Sequence, residues 1–303
     1  MAAAASDWPE LNYGDWSATL QTLHRWTQIA GKVRLALAPP VNHWWHVPLY
    51  LTARGLTTSP MPQGGQVYEL GFDFIDHLFV VACSNGVVRV VRLEPKPTAQ
   101  FWREAMQAMA EVGLRVKIRP QPSEIPDAEP LDQDETNRTY DREYAWRFWR
   151  ALTLSERVMT AFRGRYLGKS SPVHFFWGSF DLAVTRFSGR EAPPHPGSPL
   201  LPDSVTREAY SHEVSSAGFW PGGPMWEQAV FYAYAYPEPE GFADWPVRPK
   251  GARHEAAMGE FMLPYDAVRG SGDPEGALME FLQTSYEAAA DRGGWDRAAL
   301  ERR

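Results

Sequence analysis

Gly31-Lys32 leading to Pro40-Val41-Asn42-His43-Trp44-Trp45-His46, and Gly168-Lys169 leading to Pro172-Val173-His174-Phe175-Phe176-Trp177, are the stretches whose reading decides the fold. They read as one unit written twice, each with a histidine at an aromatic centre. Each follows a helical pattern and enters a strand-like segment, ending near Arg54 in the first and near Arg186 in the second. More strand signals and a closing helix follow each. The expectation is an internally duplicated α+β body, pseudo-two-fold, whose unit is a helix, antiparallel strands and a helix. Where two halves meet, a crevice forms that often takes a small ligand.

Working outward, the first repeat occupies 1–119, a linker 120–141 and the second repeat 142–303, packed against the first. A helix is expected over about 15–35 with Asp15 as cap, because Trp16, Leu20, Leu23, Thr27 and Ala30 form an apolar stripe. His24, Gln28 and Lys32 fall four apart on a second, polar stripe. Strands follow at about 45–54, 67–74, 77–83 and 87–94, the last two joined by the turn Ser84-Asn85-Gly86, then a helix at 98–111 and a short strand at 114–118. Pro120, Pro122, Pro126 and Pro130, interleaved with acids, mark the linker or a surface strap. Beyond it come a helix at about 142–166, strands at 174–187, 208–216, 228–236 and 259–265, and a helix at 274–291 opened by Asp273-Pro274. Strands in hairpin-length succession favour α+β over an alternating α/β fold.

The 303 residues are 44% hydrophobic and 22% charged, as in folded proteins, but 13 Trp, 12 Tyr and 15 Phe are many. Core packing is the plain reading of any one of these rings. The net charge of −7 and the lack of a Lys/Arg run argue against nucleic acid. The lone Cys83, in an apolar strand, fits a reducing compartment. No stretch has the length of a membrane span and the N-terminus lacks signal-peptide character, so the expected location is cytoplasmic, with no membrane partner.

Long strings, among them Lys32–Pro40, Val41-Asn42-His43-Trp44-Trp45-His46, Phe72-Asp73-Phe74-Ile75-Asp76-His77, the run from His174 to Arg190 and that from Tyr210 to Gly223, resemble an uncharacterised bacterial family catalogued only as a domain of unknown function. The resemblance covers nearly the whole chain. It carries no assigned catalytic residue, so the chemistry has to come from the residues themselves.

If 45–54 is one strand, His46, Pro48, Tyr50, Thr52 and Arg54 share its polar face, which either lines a pocket or meets water. His43 and His46 would then point to opposite faces, with Asn42 and Trp45 beside them. In the second unit His174, Phe176, Phe180, Leu182 and Val184 would make an apolar face, and Trp177, Ser179, Asp181 and Thr185 the other. Asp181 among aromatics needs a nearby cation to stay charged, and Arg186 or Arg190 could supply it. In Tyr210-Ser211-His212-Glu213 the strand parity separates His212 from Glu213, which prevents a self-contained triad. Tyr232, Tyr234 and Tyr236 would share a face, either a ligand-facing wall or a sheet edge.

The first functional expectation is an enzyme acting on a small organic metabolite. His46 or His174 would be its acid or base, oriented by Asp181 or Glu213 or joined by His212. Arg34, Arg54 or Arg186 would bind an anionic group; His24, Gln28, Lys32, Asn42, His43, Trp45, Tyr50, Trp177 and Tyr234 would line the ligand. A non-catalytic binder or sensor, and an interaction scaffold presenting the proline-rich straps, are the alternatives. The histidines and carboxylates suffice for a divalent metal such as zinc or iron, although HExxH and paired CxxC are absent. There is likewise no GxGxxG after a strand, Walker loop or GxSxG elbow.

Overall fold

The side chain of Asn12 accepts the Gly14 N–H and opens helix α1, Tyr13–Leu37, one turn's edge earlier than Asp15 would have. The computed structural model describes residues 7–302. After α1 the chain makes a short 3-10 turn at Asn42–Trp44, in which both His43 (φ 58°) and Trp44 (φ 60°) are left-handed. Strands β1 (Tyr50–Leu51), β2 (Gly55–Thr57), β3 (Met61–Gln63), β4 (Gln66–Asp73), β5 (Leu78–Cys83) and β6 (Val88–Arg92) form one antiparallel sheet. Its order is β1-β2-β4-β5-β6, with β3 branching onto β4. Helix α2 (Thr98–Glu111) closes the half, with the expected bounds. The strand expected at 114–118 is irregular backbone.

After the segment 120–141 come α3 (Arg142–Gly164), β7 (His174–Phe176), β8 (Asp181–Glu191), α4 (Asp203–Ala209), β9 (His212–Trp220), β10 (Val230–Tyr236), β11 (Arg253–Glu255), β12 (Glu260–Pro264), α5 (Tyr265–Arg269), α6 (Pro274–Arg292) and α7 (Arg297–Leu300). The second sheet has the order β11-β12-β10-β9-β8-β7, again antiparallel throughout. The class is α+β, as expected. Each half runs helix, antiparallel strands, helix, but the halves differ: the first sheet branches at β3, and the second inserts α4 and ends on the β11–β12 hairpin. A duplicated origin does not follow from that order.

The two sheets meet edge to edge, where Leu49, just before β1, bridges Phe175 of β7 in antiparallel fashion. Buried apolar side chains from both halves form one cluster, and Trp16, Trp26, Phe101, Phe148, Phe175 and Phe180 are among its largest fully buried members. The second sheet has two unlike faces. Leu182, Val184, Phe219, Phe231 and Phe261 are buried on the side carrying α3 and α6. Register places Phe176, Asp181, Gly218 and Tyr232 on the opposite side, which is more polar and only partly covered.

That register corrects the expected split of the second unit's faces. A four-residue turn, Trp177 to Phe180, separates β7 from β8, and Phe176 pairs with Asp181. His174 and Phe176 therefore share a face with Asp181 and not with Leu182 and Val184. The strand expected at 45–54 also shrinks to two residues, because the left-handed pair His43–Trp44 coils the chain where strand alternation was assumed.

Candidate functional site

Gly218 sets the geometry of the more polar face. It lies between Ala183 of β8 and Tyr232 of β10, and a Cβ there would overlap the Tyr232 ring tip. Without that Cβ, Tyr232 reaches across β9 and donates its hydroxyl to Asp181 Oδ2, while Ser179 donates to Oδ1. Asp181 is 6% exposed. Burial pushes its carboxyl up and the two hydroxyls pull it back. One row along, Thr185 and Ser216 hydroxyls bond at 2.9 Å, and Tyr234 meets Tyr210 hydroxyl to hydroxyl at 2.7 Å.

Two further carboxyls feel Asp181. Burial and the Asp181 charge push Glu124 up to about 7, and the same two causes push Glu260, at the start of β12, up to about 7. Among the described residues neither glutamate carboxyl accepts a hydrogen bond, and none of the three acids is in an ion pair. Glu124 comes from the proline-rich segment, kinked there in a left-handed conformation (φ 59°). A Cβ on Gly178 would overlap its carboxyl, so glycine in the β7–β8 turn is what lets Glu124 approach.

The stripe His24, Gln28 and Lys32 holds this arrangement in place. His24 Nε2 donates to Gly178 O at 2.8 Å and stacks on Phe180. Burial holds that imidazole down at about 4, so it is neutral and positions the turn. Gln28, fully buried, donates to Ser123 O at 2.9 Å and accepts Ser123 N–H at 2.7 Å. Lys32 donates to Ser123 Oγ at 3.2 Å and sits over the Trp177 ring; burial and Arg119 lower it to about 8. Trp177 fills the space left by Gly31 and donates to Val47 O at 2.9 Å.

The other end of the face is basic. Tyr50 and His174 bond at 3.3 Å, and the Arg34 guanidinium lies 5.3 Å from the Tyr50 ring centre. Burial first, then Arg34 and Arg163, hold His174 down at about 3. Beyond Trp45, Lys169 Nζ lies 2.6 Å from His43 Nε2, and His43 Nδ1 faces the carbonyls of Glu208 and Ala209 at 3.2 Å. Burial and Lys169 lower His43.

The chain matches, over residues 8–302, the model of a family of unknown function, DUF5996. It belongs to that family. No curated protein and no solved structure matches it.

Several residues singled out in the sequence lie away from this face. His46 accepts the Val41 N–H at 3.2 Å and closes the 3-10 turn. Asn42 is exposed in the same turn. Arg54 pairs with Asp73 at 2.5 Å and Asp76 at 2.6 Å on the surface. Arg186 is the sharpest departure, because it sits on the opposite face of β8 from Asp181. It is caged by Phe162, Tyr166 and Tyr286, with its charge 3.4 Å from the Phe162 ring centre. Arg190 pairs with Glu213 at 2.7 Å, so neither arginine neutralises Asp181. The parity expected for 210–213 does not arise, since Tyr210 caps α4 and the strand starts at His212. His212 bonds Ser211 and touches the His43 ring edge.

Glu124, Glu260, Lys169 and Arg163 were not anticipated as part of the site. Gly178 and Gly218 carry the available signal: a glycine amid bulky strand residues marks close approach by another group. No group of three or more His, Cys, Asp or Glu is arranged to hold a metal ion among the described residues. No helix there is long and apolar enough to cross a membrane.

Proposed function

We propose that this protein is an enzyme that acts on a small organic metabolite by acid–base chemistry, with Glu124, Asp181 and Glu260 as the reacting carboxyls. The observation that carries this is the meeting of three acids on one partly covered face with no cation among them. Structural carboxylates are normally paired or hydrogen-bonded. A carboxyl titrating near neutrality has both its forms at hand, as a general acid or base requires. The two hydroxyls that donate to Asp181 favour its charged form against burial, and the unbonded Glu124 and Glu260 are the proton carriers. The three titrate as a coupled group. Of the histidines expected in this role, His174 is held neutral by burial and bonds Tyr50, and His46 closes the 3-10 turn.

A second reading has its own support. Three unpaired acids beside Tyr232 and Tyr234 also suit an organic ammonium, held by charge and ring faces without turnover. The test is a thermal-shift screen of small polar metabolites against the wild type and Asp181→Asn, then mass analysis of the stabilising compound. Conversion by the wild type, lost in Glu124→Gln while binding survives, is the expected result. A compound recovered unchanged assigns the second reading. Binding indifferent to all three acids removes the site altogether.

A further inference from the structure

His174 is 1% exposed, yet its Nε2 has no hydrogen-bond partner among the described residues. Taking the Tyr50 hydroxyl as donor to Nδ1, the proton of the neutral ring sits on Nε2, which meets no partner among the described residues. A buried donor left unmatched costs about 1–3 kcal/mol, so such groups persist where something else takes the bond. Arg34 repeats the pattern: it is 8% exposed, its Nε is unpartnered, and it is in no ion pair. Arg163 spends its Nε on Ser171 O at 2.6 Å and also lacks a carboxylate. No carboxylate acts on His174 or on Arg34, and the one group that favours the Arg34 charge is the Tyr50 hydroxyl. In a chain with 37 acidic residues against 30 basic ones, two arginines converging on a buried donor without one acid is a marked imbalance.

We infer that His174, Tyr50, Arg34 and Arg163 form a subsite for an oxyanion group, carboxylate or phosphate, on a small molecule. Guanidinium forks and a neutral imidazole N–H are donors only toward such a group, and charge-assisted bonds to oxyanions are the strong ones. Arg163 is exposed whereas His174 and Arg34 are buried, and the Trp45 ring centre lies 5.8 Å from that of His174. This goes beyond the acid–base reading and does not need it: the subsite binds its anion whether or not chemistry follows at Asp181.

The experiment is a titration of histidine-labelled protein with inorganic phosphate and, separately, with acetate, at ionic strength matched by sodium chloride. The imidazole resonances of His174 are identified by their loss in His174→Asn. The expected result is a saturable shift of His174, with Kd about tenfold or more weaker in Arg34→Met. A shift by phosphate alone names a phosphate ester, and one by acetate a carboxylate. If Arg34→Met fails to fold, the exposed Arg163→Gln serves, with the same weakening expected. No saturable shift with either anion, or one unchanged in the arginine variant, overturns the inference. Loss of acid–base chemistry in Glu124→Gln would leave this shift intact, so the two proposals fail separately.

Discussion

Leu49 and Phe175 exchange both of their backbone hydrogen bonds, Leu49 N–H to Phe175 O at 2.9 Å and Phe175 N–H to Leu49 O at 3.0 Å. This bridge joins the edge strands of the two sheets and sets Tyr50 beside His174. It also covers edges that would otherwise be open to a stray strand. The seam is apolar beneath: Leu49 and Phe175 are buried, and Phe175 packs edge-on to Phe148 and Phe180.

Phe175→Ala should therefore weaken both halves together. The expected cost is about 3–5 kcal/mol, typical of a fully buried phenylalanine. Urea unfolding should stay a single transition, moved to lower denaturant, since one core spans the seam. Two separated transitions would mean that 1–119 and 142–303 fold independently.

Tyr232→Phe should cost more at neutral than at acid pH. The hydroxyl it removes is one of two donors to buried Asp181, and bonds to charged groups contribute about 1.5–3 kcal/mol. Acid protonates Asp181 and removes the need for that donor, so the penalty shrinks as pH falls. A penalty that does not vary with pH would show that Asp181 is already neutral at pH 7.

Part of this site was legible in the sequence. The four-residue spacing of His24, Gln28 and Lys32 placed them on one stripe, and all three do bond across to residues 123 and 178. The alternation of Tyr232, Tyr234 and Tyr236 likewise gave their common face. Parity failed across Trp177–Phe180 because a tight turn reverses the chain, so Asp181 pairs back with Phe176. It failed again at His43–Trp44, where two non-glycine residues take a left-handed conformation that no local signal announces. Glu124 was hidden for another reason: an acid among prolines reads as solvated strap, and only tertiary bonds from α1 turn it inward.

The pH dependence of stability has two opposing parts. Glu124 and Glu260, raised from 4.5 to about 7, keep protons that the unfolded chain releases. Their contribution is present below 4.5 and lost as pH rises through 7. His24 and His174, lowered from 6.5 to about 4 and about 3, act the other way: acidification below 6.5 protonates the unfolded chain first and removes stability. Glu124→Gln deletes only a rising-pH loss. Its melting temperature should exceed that of the wild type near pH ~8 and match it near pH ~4. An equal gain at both would show that the glutamate is not protonated in the fold.

Asp134 ties the same strap to α1, and through it the position of Glu124 can be tested at a distance. Fully buried, it forms an ion pair with Arg25, 3.0 Å from Nε, and accepts the backbone N–H groups of Thr136 and Asn137 and the Asn137 amide. Asp134→Asn keeps most of those acceptor positions but leaves Arg25, itself 9% exposed, without a counter-charge. The expected loss is about 3 kcal/mol, read by urea unfolding. A strap loosened at that end should also let water reach Glu124, so its carboxyl, followed by carbon NMR, should titrate below 7 and toward 4.5. A midpoint that stays near 7 would mean that Gln28 and Lys32 hold residues 123 and 124 without help from Asp134. In that case Gln28→Ala, which removes both bonds to Ser123, is the substitution that has to move it.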